Sequence, residues 1–519
     1  MALFRVSNNR AQFDAAGNEA TDQYGAGIRF DVTGDARVTT ASATHYNQGI
    51  PMSATGQVAI VDATAGLPAG TIFHNGLPIS GDKVCVSRNA TAVVSNGLPY
   101  DAAGAVAGDI NFDLNFIGTN TLNSAITFTR ASSATFVGSN GLIQSATTNT
   151  PRFDYDPVTL AAKGLLIEEQ RTNLLTYSEQ FDNAAWAKVN SPTLVSNVAV
   201  APDGATTADS IQAVTGGTFQ YVSQTATVAT NATVTASIYV RKETSETAFG
   251  GLGLDFQGGT RRIVYVGVNA VTGVANNLVG GTLTGTVSVF NAGNYWRVNV
   301  TATDNGSNTS CSFLYYANLS TDNVNVSGTP AASSAKVIWG AQLEAGSFAT
   351  SYIPTVASQV TRSADVASVN TLSPWYNADQ STVYIELQSI WTSGTTGGDR
   401  QAWSAVGGTD SRLGIVRGSG GSIQFHDETT YRNMPNGTYN DGSIRKVAIG
   451  INDPATSANA AINGTNGTVT TDGTTLDSRI TSFRIGASTT GSEVWCGWIR
   501  RFTYYPRQLS LAECAAITT

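Results

Sequence analysis

Short runs of alternating apolar and polar residues recur along the chain, and a period of two predicts β-strands rather than helices. Ile110, Phe112, Leu114 and Phe116 follow this period and predict a half-buried strand. Short strands separated by turn signals are typical of a β-sandwich. We predict one sandwich from the runs at 219–225, 234–240, 295–300 and 335–344. We predict a second from the runs at 383–387, 412–416, 423–425, 445–449, 483–486 and 498–505.

The C-terminus departs from this pattern. After Pro506, Ser510 precedes an apolar stretch and Glu513 follows three residues later, which is the arrangement of a capping box. We therefore predict a short C-terminal helix that begins at Ser510.

A short phrase is repeated three times near the N-terminus. It reads Gln48-Gly49-Ile50-Pro51, Asn75-Gly76-Leu77-Pro78 and Asn96-Gly97-Leu98-Pro99, and a Gly-containing turn and a short apolar run follow each copy. Asn-Gly favours a tight turn and proline forces an extended predecessor, so each copy predicts a small β-hairpin or β-arc. Such repeats form an ordinary hairpin meander, or a module that lies on or winds with neighbouring chains. We favour the second, and predict attachment through Gly49, Pro51, Gly76, Pro78, Gly97 and Pro99.

Composition narrows the class of protein. The 519 residues suggest several domains, and only 13% of them are charged against roughly 25% in an average soluble protein. The net charge of −8 and the lack of a basic run exclude a phosphate-backbone binder, so no nucleic-acid partner is expected. No apolar run is long enough for a membrane helix, and the N-terminus lacks a signal-peptide pattern. We expect no membrane insertion.

Residues that could support catalysis or bind metal are few. His45 and His74 precede the first two repeats, and we interpret them as repeat or turn residues. His426-Asp427 could be half of a catalytic triad or a metal pair, but such a dipeptide is common by chance and no recognised catalytic or metal motif accompanies it. The cysteines are scattered without metal spacing and are predicted to be small core residues: Cys85, Cys311, Cys496 and Cys514.

Carboxylates leave two alternatives open. Glu168, Glu169 and Glu179 are candidates for a glycosidase pair, but structural ion pairs near Arg171 are favoured. Aspartates that could hold calcium lack a regular loop motif: Asp109, Asp113, Asp154 and Asp156. We predict no catalytic residue, no metal site and no cofactor.

Aromatic side chains are the candidates for sugar binding, although core packing is their commoner role in a sandwich. In the C-terminal region these are Trp375, Tyr376, Trp391, Trp403 and Tyr431. In the middle region they are Trp186, Tyr221, Tyr295 and Trp296.

Several segments resemble tailed-phage virion proteins. The middle region resembles the jelly-roll module of head-spike and tail-fibre proteins, whose fold is similar to carbohydrate-binding modules, through residues 164–175, 177–186, 201–204, 340–347, 351–355 and 361–365. The C-terminal region resembles a concanavalin A-like, laminin-G-type sandwich through residues 462–464 and 497–511. The Gly-Leu-Pro repeats also resemble those of phage virion proteins.

The resulting prediction is an all-β chain, with an N-terminal β-repeat attachment region followed by two β-sandwich (jelly-roll) domains. The expected boundaries are 1–110 for attachment, 111–175 for a β-rich connector, 176–365 for the jelly roll and 366–519 for the laminin-G-like sandwich. The resemblance implies a structural protein on the virion surface, a head fibre or spike that contacts other virion proteins and forms a homo-oligomer, a trimer or at a five-fold vertex a pentamer. It also implies contact with host-surface glycans.

Three alternatives compete with this prediction. The first is a tail fibre that binds the host receptor. The second is a virion-associated polysaccharide depolymerase, although the chain shows neither a long β-helix pattern nor a carboxylate-rich cleft. The third is a purely architectural decoration protein without a ligand.

Overall fold

The computed structural model describes most of the chain beyond residue 111. It describes 112–519 apart from 215–218, 246–248, 276–282, 284, 321–334, 374, 378, 391–398, 408–412, 418–421, 428–430, 439–441, 453–456 and 471–479. Within 1–111 it describes the backbone of short strands, and it describes the backbone alone at 320, 413–417, 427, 431 and 436–438.

The chain divides into two compact units. One unit contains Met1–Leu114, Ser373–Val383 and Thr503–Leu509. The other contains Asn115–Leu372, Tyr384–Phe502 and Ser510–Thr519.

Short strands make up the N-terminal part of the first unit. They are β1 (Phe4–Val6), β2 (Gln23–Gly25), β3 (Ile28–Phe30), β4 (Asp35–Ala36), β5 (Val38–Thr39), β6 (His45–Asn47), β7 (Ile50–Met52), β8 (Val58–Asp62), β9 (Ile72–His74), β10 (Leu77–Ser80), β11 (Lys83–Val86), β12 (Val93–Ser95) and β13 (Leu98–Tyr100). They form one sheet in the order β13-β12-β1-β4-β3-β2 and another in the order β6-β7-β8-β11-β10-β9, in which β5 also pairs with β8.

Each repeated phrase forms a hairpin, which confirms the local prediction. Two residues separate the paired positions that flank each turn, which are Asn47 and Ile50, His74 and Leu77, and Ser95 and Leu98. The proline of each copy occupies the next pair, at Pro51, Pro78 and Pro99. Pairs along an antiparallel ladder alternate between hydrogen-bonded and non-hydrogen-bonded, so a proline one step beyond the closing pair loses no ladder bond.

The apolar runs that follow the first two copies lie side by side in parallel, with Val84 paired to Ile60. The turn glycines Gly49, Gly76 and Gly97 and the third apolar run lie outside the described residues. The predicted attachment role of this region stays a prediction.

The remaining strands lie between residues 112 and 505. Up to residue 173 they are β14 (Phe112–Asn115), β15 (Ile126–Thr129), β16 (Ala134–Val137), β17 (Ile143–Ala146), β18 (Phe153–Tyr155), β19 (Ala162–Ile167) and β20 (Arg171–Asn173). The next are β21 (Ala187–Val189), β22 (Thr193–Ala199), β23 (Ala208–Gln212), β24 (Tyr221–Thr227), β25 (Thr233–Arg241), β26 (Phe249–Gln257), β27 (Arg262–Val268), β28 (Gly285–Ala292), β29 (Tyr295–Thr303), β30 (Ser310–Ser320) and β31 (Lys336–Ala345).

The last series runs to the C-terminal helix. It comprises β32 (Val360–Arg362), β33 (Val366–Val369), β34 (Gln380–Ser389), β35 (Arg400–Gly407), β36 (Leu413–Arg417), β37 (Ser422–Asp427), β38 (Tyr431–Thr438), β39 (Arg445–Asn452), β40 (Ser457–Ile462), β41 (Thr465–Thr470), β42 (Ile480–Ile485) and β43 (Gly497–Tyr505), followed by helix α1 (Leu511–Thr518). Ser510 caps α1 and Glu513 completes the capping box, as predicted. No helix in the described part of the chain has the length and apolar character needed to cross a membrane.

The middle sandwich has two antiparallel sheets, in the orders β21-β24-β30-β26-β27 and β22-β23-β31-β25-β29-β28. A continuous core fills the space between them. It includes Phe313 and Leu254 from the five-stranded sheet and Val298 and Leu343 from the six-stranded sheet, all at most 1% exposed. The prediction of an all-β chain with β-sandwich architecture is confirmed.

The second sandwich draws its strands from both sides of the first. One sheet has the order β18-β19-β43-β34-β39-β40-β41, with β14 also paired to β43, and the other has the order β15-β33-β42-β35-β36-β37-β38. β15 pairs with β33 through Ile126 and Val369, and β19 pairs with β43 through Leu165 and Ile499. Strands that we assigned to a connector therefore share sheets with strands beyond residue 366. The middle sandwich is inserted between them in the sequence.

Candidate functional site

The five-stranded sheet of the middle sandwich has an aromatic outer face. Alternate residues of a strand point to opposite sides, and one side of this sheet packs into the sandwich core. The other side carries a separate apolar cluster, which we call the tyrosine face: Phe219, Tyr221, Ile263, Tyr265, Leu314, Tyr316 and Leu319.

The register of three neighbouring strands brings the tyrosines together. Tyr221 of β24 lies opposite Tyr316 of β30, and Tyr316 lies opposite Gly251 of β26. Gly253 of β26 lies opposite Tyr265 of β27. A Cβ at Gly251 would collide with the side chain of Leu319, and one at Gly253 would lie 3.0 Å from Cβ of Tyr265. Glycine at these positions therefore lets the flanking side chains close over β26.

Tyr316 is the centre of the aromatic group. Its ring centroid lies 4.9 Å from that of Tyr221, 6.0 Å from that of Tyr265 and 5.9 Å from that of Phe219. Tyr316 is only 5% exposed, whereas the three surrounding rings are half-buried. Burial and the neighbouring phenols raise the pKa of Tyr316, so its hydroxyl stays protonated at neutral pH. Tyr316 is therefore an uncharged ring at the centre of the face.

A polar row lies beside the tyrosines on the same face of the sheet. Thr225, Ser312 and Asp255 occupy paired positions on three adjacent strands. The hydroxyls of Thr225 and Ser312 lie 2.7 Å apart, and the Gln257 side-chain amide donates to Oδ2 of Asp255 at 2.8 Å. The guanidinium of Arg261 donates to the same carboxylate, from Nε at 2.9 Å and from Nη2 at 2.7 Å.

This pair combines a hidden carboxylate with an accessible cation. The Asp255 side chain is 3% exposed and that of Arg261 is 65% exposed. Hydrogen bonding and the charge of Asp255 raise the pKa of Arg261. The tyrosine face and the polar row beside it thus present aromatic rings, a guanidinium, hydroxyls and an amide. Such groups can hold polyhydroxylated ligands through C–H contacts and hydrogen bonds.

The four predicted middle-region aromatics have different fates. Tyr221 belongs to the tyrosine face. Trp186 is 1% exposed in the core, and Tyr295 is 2% exposed with its hydroxyl donating to the carbonyl of Val200. Trp296 is half-buried beneath the Lys242 ammonium, which lies 4.1 Å from its ring centroid.

The C-terminal candidates do not form one surface. Trp403 is fully buried against Phe483 and Phe502, so its ring is unavailable to a sugar. Trp375 is 5% exposed and stacks on Phe112 with the ring centroids 4.4 Å apart, so its ring is also covered within the protein. Both predictions of a sugar-binding role are therefore corrected.

The remaining C-terminal candidates are Tyr376, Trp391 and Tyr431. Tyr376 is half-buried with its ring 5.9 Å from that of Tyr504. Trp391 lies outside the described residues, and only the backbone of Tyr431 is described, in β38.

The candidate glycosidase carboxylates have structural partners. Glu168 is fully buried and accepts from Arg152 Nη1 at 2.7 Å, and Arg362 Nη1 lies 2.8 Å away. Burial alone would raise the pKa of Glu168, but the charges of Arg362 and Arg152 lower it to about 2. Glu169 pairs with Arg171 and Arg400. The favoured interpretation, structural ion pairs near Arg171, is confirmed for these two residues.

Glu179 differs from the other two carboxylates. It accepts from the Tyr352 hydroxyl at 3.0 Å, and burial raises its pKa. Glu179 therefore lies in a hydrogen-bonded setting apart from the Glu168 and Glu169 ion pairs.

The aspartates considered for calcium are engaged within the protein. Asp113 accepts from the Thr503 hydroxyl at 2.5 Å, Asp154 from the indole N–H of Trp498 at 2.8 Å, and Asp156 from two backbone amides of its own turn. Asp109 lies outside the described residues. Within the described part of the chain, no three His, Cys, Asp or Glu side chains are grouped so as to hold a metal ion.

The histidine and cysteine side chains that the structure describes are buried. His426 is buried in β37, and only the backbones of His45 and His74 are described. Cys311, Cys496 and Cys514 are buried, as predicted for core residues.

Comparison with known proteins gives structural neighbours only. No family model matches the chain, and no curated protein matches it. Among solved structures, the CBM40 domain of a Ruminococcus gnavus IT-sialidase bound to α2,3-sialyllactose is 16% identical, with a TM-score of 0.24, and the match covers 28% of this chain and 84% of that one. Domain 4 of AbnA, a GH43 extracellular arabinanase from Geobacillus stearothermophilus in complex with arabinotriose, is 11% identical, with a TM-score of 0.25, covering 33% and 82%. The neighbours thus include a carbohydrate-binding module, and at these TM-scores they add no argument about function.

Proposed function

We propose that this chain is a non-catalytic structural protein of a phage virion surface, a head fibre or spike, which binds host-surface glycans through the tyrosine face. The observation that carries glycan binding is the cluster of Tyr221, Tyr265 and Tyr316 beside the Asp255–Arg261 pair. A sugar ring has an apolar C–H face and a rim of hydroxyls, and this surface matches both with rings and hydrogen-bonding groups.

The virion setting is supported by the sequence resemblance and by the modular organisation. Three hairpins precede two sandwiches, which suits an attachment region followed by projecting domains. The low fraction of charged residues suits burial between subunits, so we propose a homo-oligomer, with a trimer favoured and a pentamer at a five-fold vertex. A head position is preferred over a tail-fibre position because of the resemblance of the middle region.

The non-catalytic part of the proposal is supported by two of the three candidate carboxylates, Glu168 and Glu169. Glu168 is neutralised by two arginines in a solvent-free site, and Glu169 bridges two more. A glycosidase needs one carboxyl group that is protonated near neutral pH and a second that faces the substrate. The low pKa of Glu168, about 2, is the opposite of a general acid.

Glycan binding is tested with the full chain on an array of bacterial surface polysaccharides and on host cells. Tyr221→Ala and Tyr265→Ala should each weaken binding by about tenfold or more, which corresponds to about 1.4 kcal/mol. Phe290→Ala is the matched control, because Phe290 is an exposed aromatic residue, 38% exposed, on β28 of the other sheet. Equal binding by all variants and the wild type would refute the assignment of the face.

Catalysis and location need separate measurements. Incubation with the bound polysaccharide should release no reducing ends above background, and sustained release would overturn the non-catalytic assignment. Labelled antibody against residues 366–519, imaged on intact particles, should decorate the head; labelling of the tail alone would contradict the preferred position.

A further inference from the structure

We infer that the Asp255–Arg261 pair makes the tyrosine face selective for uncharged glycans over glycans that carry carboxylates. This inference rests on the proposed function of the face, because it names the ligand class at that same site.

The pair is built so that the cation is exposed and its counter-charge is not. Nε and Nη2 of Arg261 are directed at Asp255, and a third bond from Gln257 holds the carboxylate in place. Asp255 is 2% exposed, so a ligand meets the guanidinium rather than the carboxylate. Among the described residues, Nη1 of Arg261 makes no hydrogen bond. A planar donor at the rim of the aromatic surface is therefore available to hydroxyl oxygens.

The carboxylate of Asp255 offsets the positive charge of Arg261, which would otherwise attract the carboxylate of an acidic sugar. Asp255 and Arg261 carry opposite unit charges and are joined by hydrogen bonds, so the pair beside the tyrosines has no net charge. A carboxylate placed against Arg261 would also lie close to the negative charge of Asp255, and would lose hydration for little net attraction. A neutral hydroxyl accepts from the guanidinium without that repulsion. The expected ligand is a neutral glycan that stacks on the tyrosines and is oriented by Arg261.

The test compares each acidic bacterial polysaccharide with its carboxyl-reduced derivative, so that the two members of a pair differ only in charge. Wild-type full-length protein should bind the carboxyl-reduced member about tenfold more tightly. Asp255→Asn keeps the shape of the side chain and leaves Arg261 uncompensated. It should narrow or reverse the preference, and the gained binding should weaken as salt rises.

Two results would overturn the inference while leaving glycan binding intact: equal or tighter binding of the carboxylated member by the wild type, or a preference unchanged in Asp255→Asn. If Asp255→Asn does not fold, Arg261→Gln replaces it, because that side chain is 65% exposed. This variant leaves Asp255 uncompensated and should discriminate more strongly against the carboxylated member. Binding of neither member, with no effect of Tyr221→Ala, would overturn the proposed function together with the inference.

Discussion

Glu168→Gln should be among the most destabilising conservative changes in this protein. The carboxylate of Glu168 is fully buried and accepts three hydrogen bonds, from Arg152 and from the backbone N–H and the hydroxyl of Ser351, at 2.7 Å each. It also forms an ion pair with Arg362, whose Nη1 lies 2.8 Å away. Glutamine has nearly the same volume but no charge. Its amide nitrogen replaces one acceptor oxygen, so an N–H donor would lie against the N–H and O–H donors that surround the carboxylate. Both arginines would then keep their charge in a solvent-free site with one counter-charge fewer.

The magnitude follows from burial and from the pKa. Removing one partner of a buried ion pair costs roughly 3–5 kcal/mol, because the remaining charge stays buried. The lowering of the Glu168 pKa from 4.5 to about 2 corresponds to about 3 kcal/mol at neutral pH. Since the folded-state pKa is below the unfolded one, this stabilisation is complete above pH 4.5. It is lost as pH falls towards 2.

The assay is urea unfolding of the full chain at several pH values, followed by tryptophan fluorescence. Glu168→Gln should lower the free energy of unfolding by about 3–5 kcal/mol at pH 7, and the deficit should shrink between pH 4.5 and pH 2. Glu169→Gln is the control, because its carboxylate also pairs with two arginines but is 21% exposed, and should cost less. A deficit below about 0.5 kcal/mol, or one that stays constant with pH, would refute the reasoning.

Two further predictions concern packing. Gly346→Ala should destabilise the protein by about 1–3 kcal/mol more than Gly118→Ala. Both glycines have positive φ, but only at position 346 would an added Cβ collide with the guanidinium of Arg171. Equal melting temperatures of the two variants would contradict this collision. Burial raises the pKa of Cys496 to about 12, so at pH 8 its native thiol should react with iodoacetamide at least about 100-fold more slowly than in urea. Mass mapping of the alkylated peptide measures this, and rapid labelling of the native protein would show that the site opens.

Alternation in the sequence located several strands but not their partners. The run at 234–240 lies in β25, and the run at 445–449 lies in β39. Period-two patterns report that one side of a strand is buried, and nothing in them identifies the neighbour. β15 and β33 pair although more than 230 residues separate them in the sequence. A local pattern therefore could not predict that the two strands belong to the same sandwich.

The candidate site was only partly predictable for a related reason. Tyr221 was a candidate from the sequence, whereas Tyr265, Tyr316, Asp255 and Arg261 were not considered. They lie on different strands and are brought together by register. The signal that was present is local to β26, where Gly251 and Gly253 alternate with leucines in a strand. Glycines at period two in a strand indicate a close approach by neighbouring side chains.

The segments at 164–175 and 361–365, which carry part of the family resemblance, meet where the chain enters and leaves the inserted sandwich. β20 and β32 pair as the chain enters and leaves the inserted sandwich, with Arg171 opposite Arg362. Immediately outside them, the backbone N–H of Asp365 donates to the carbonyl of Glu168 at 2.9 Å, and the backbone N–H of Glu168 donates to Oδ2 of Asp365 at 2.8 Å.

Asp365 also holds Arg130 and Arg152, so strands from three separate stretches of sequence converge on one buried set of charges. Buried charges tolerate few substitutions, because each loss leaves a partner unpaired. The half-buried rings of the tyrosine face, Tyr221 and Tyr265, take part in no such ion pair among the described residues. We therefore expect related chains to keep the junction residues and to vary the tyrosine face, so that the chemistry of this surface changes without altering how the sandwich is inserted.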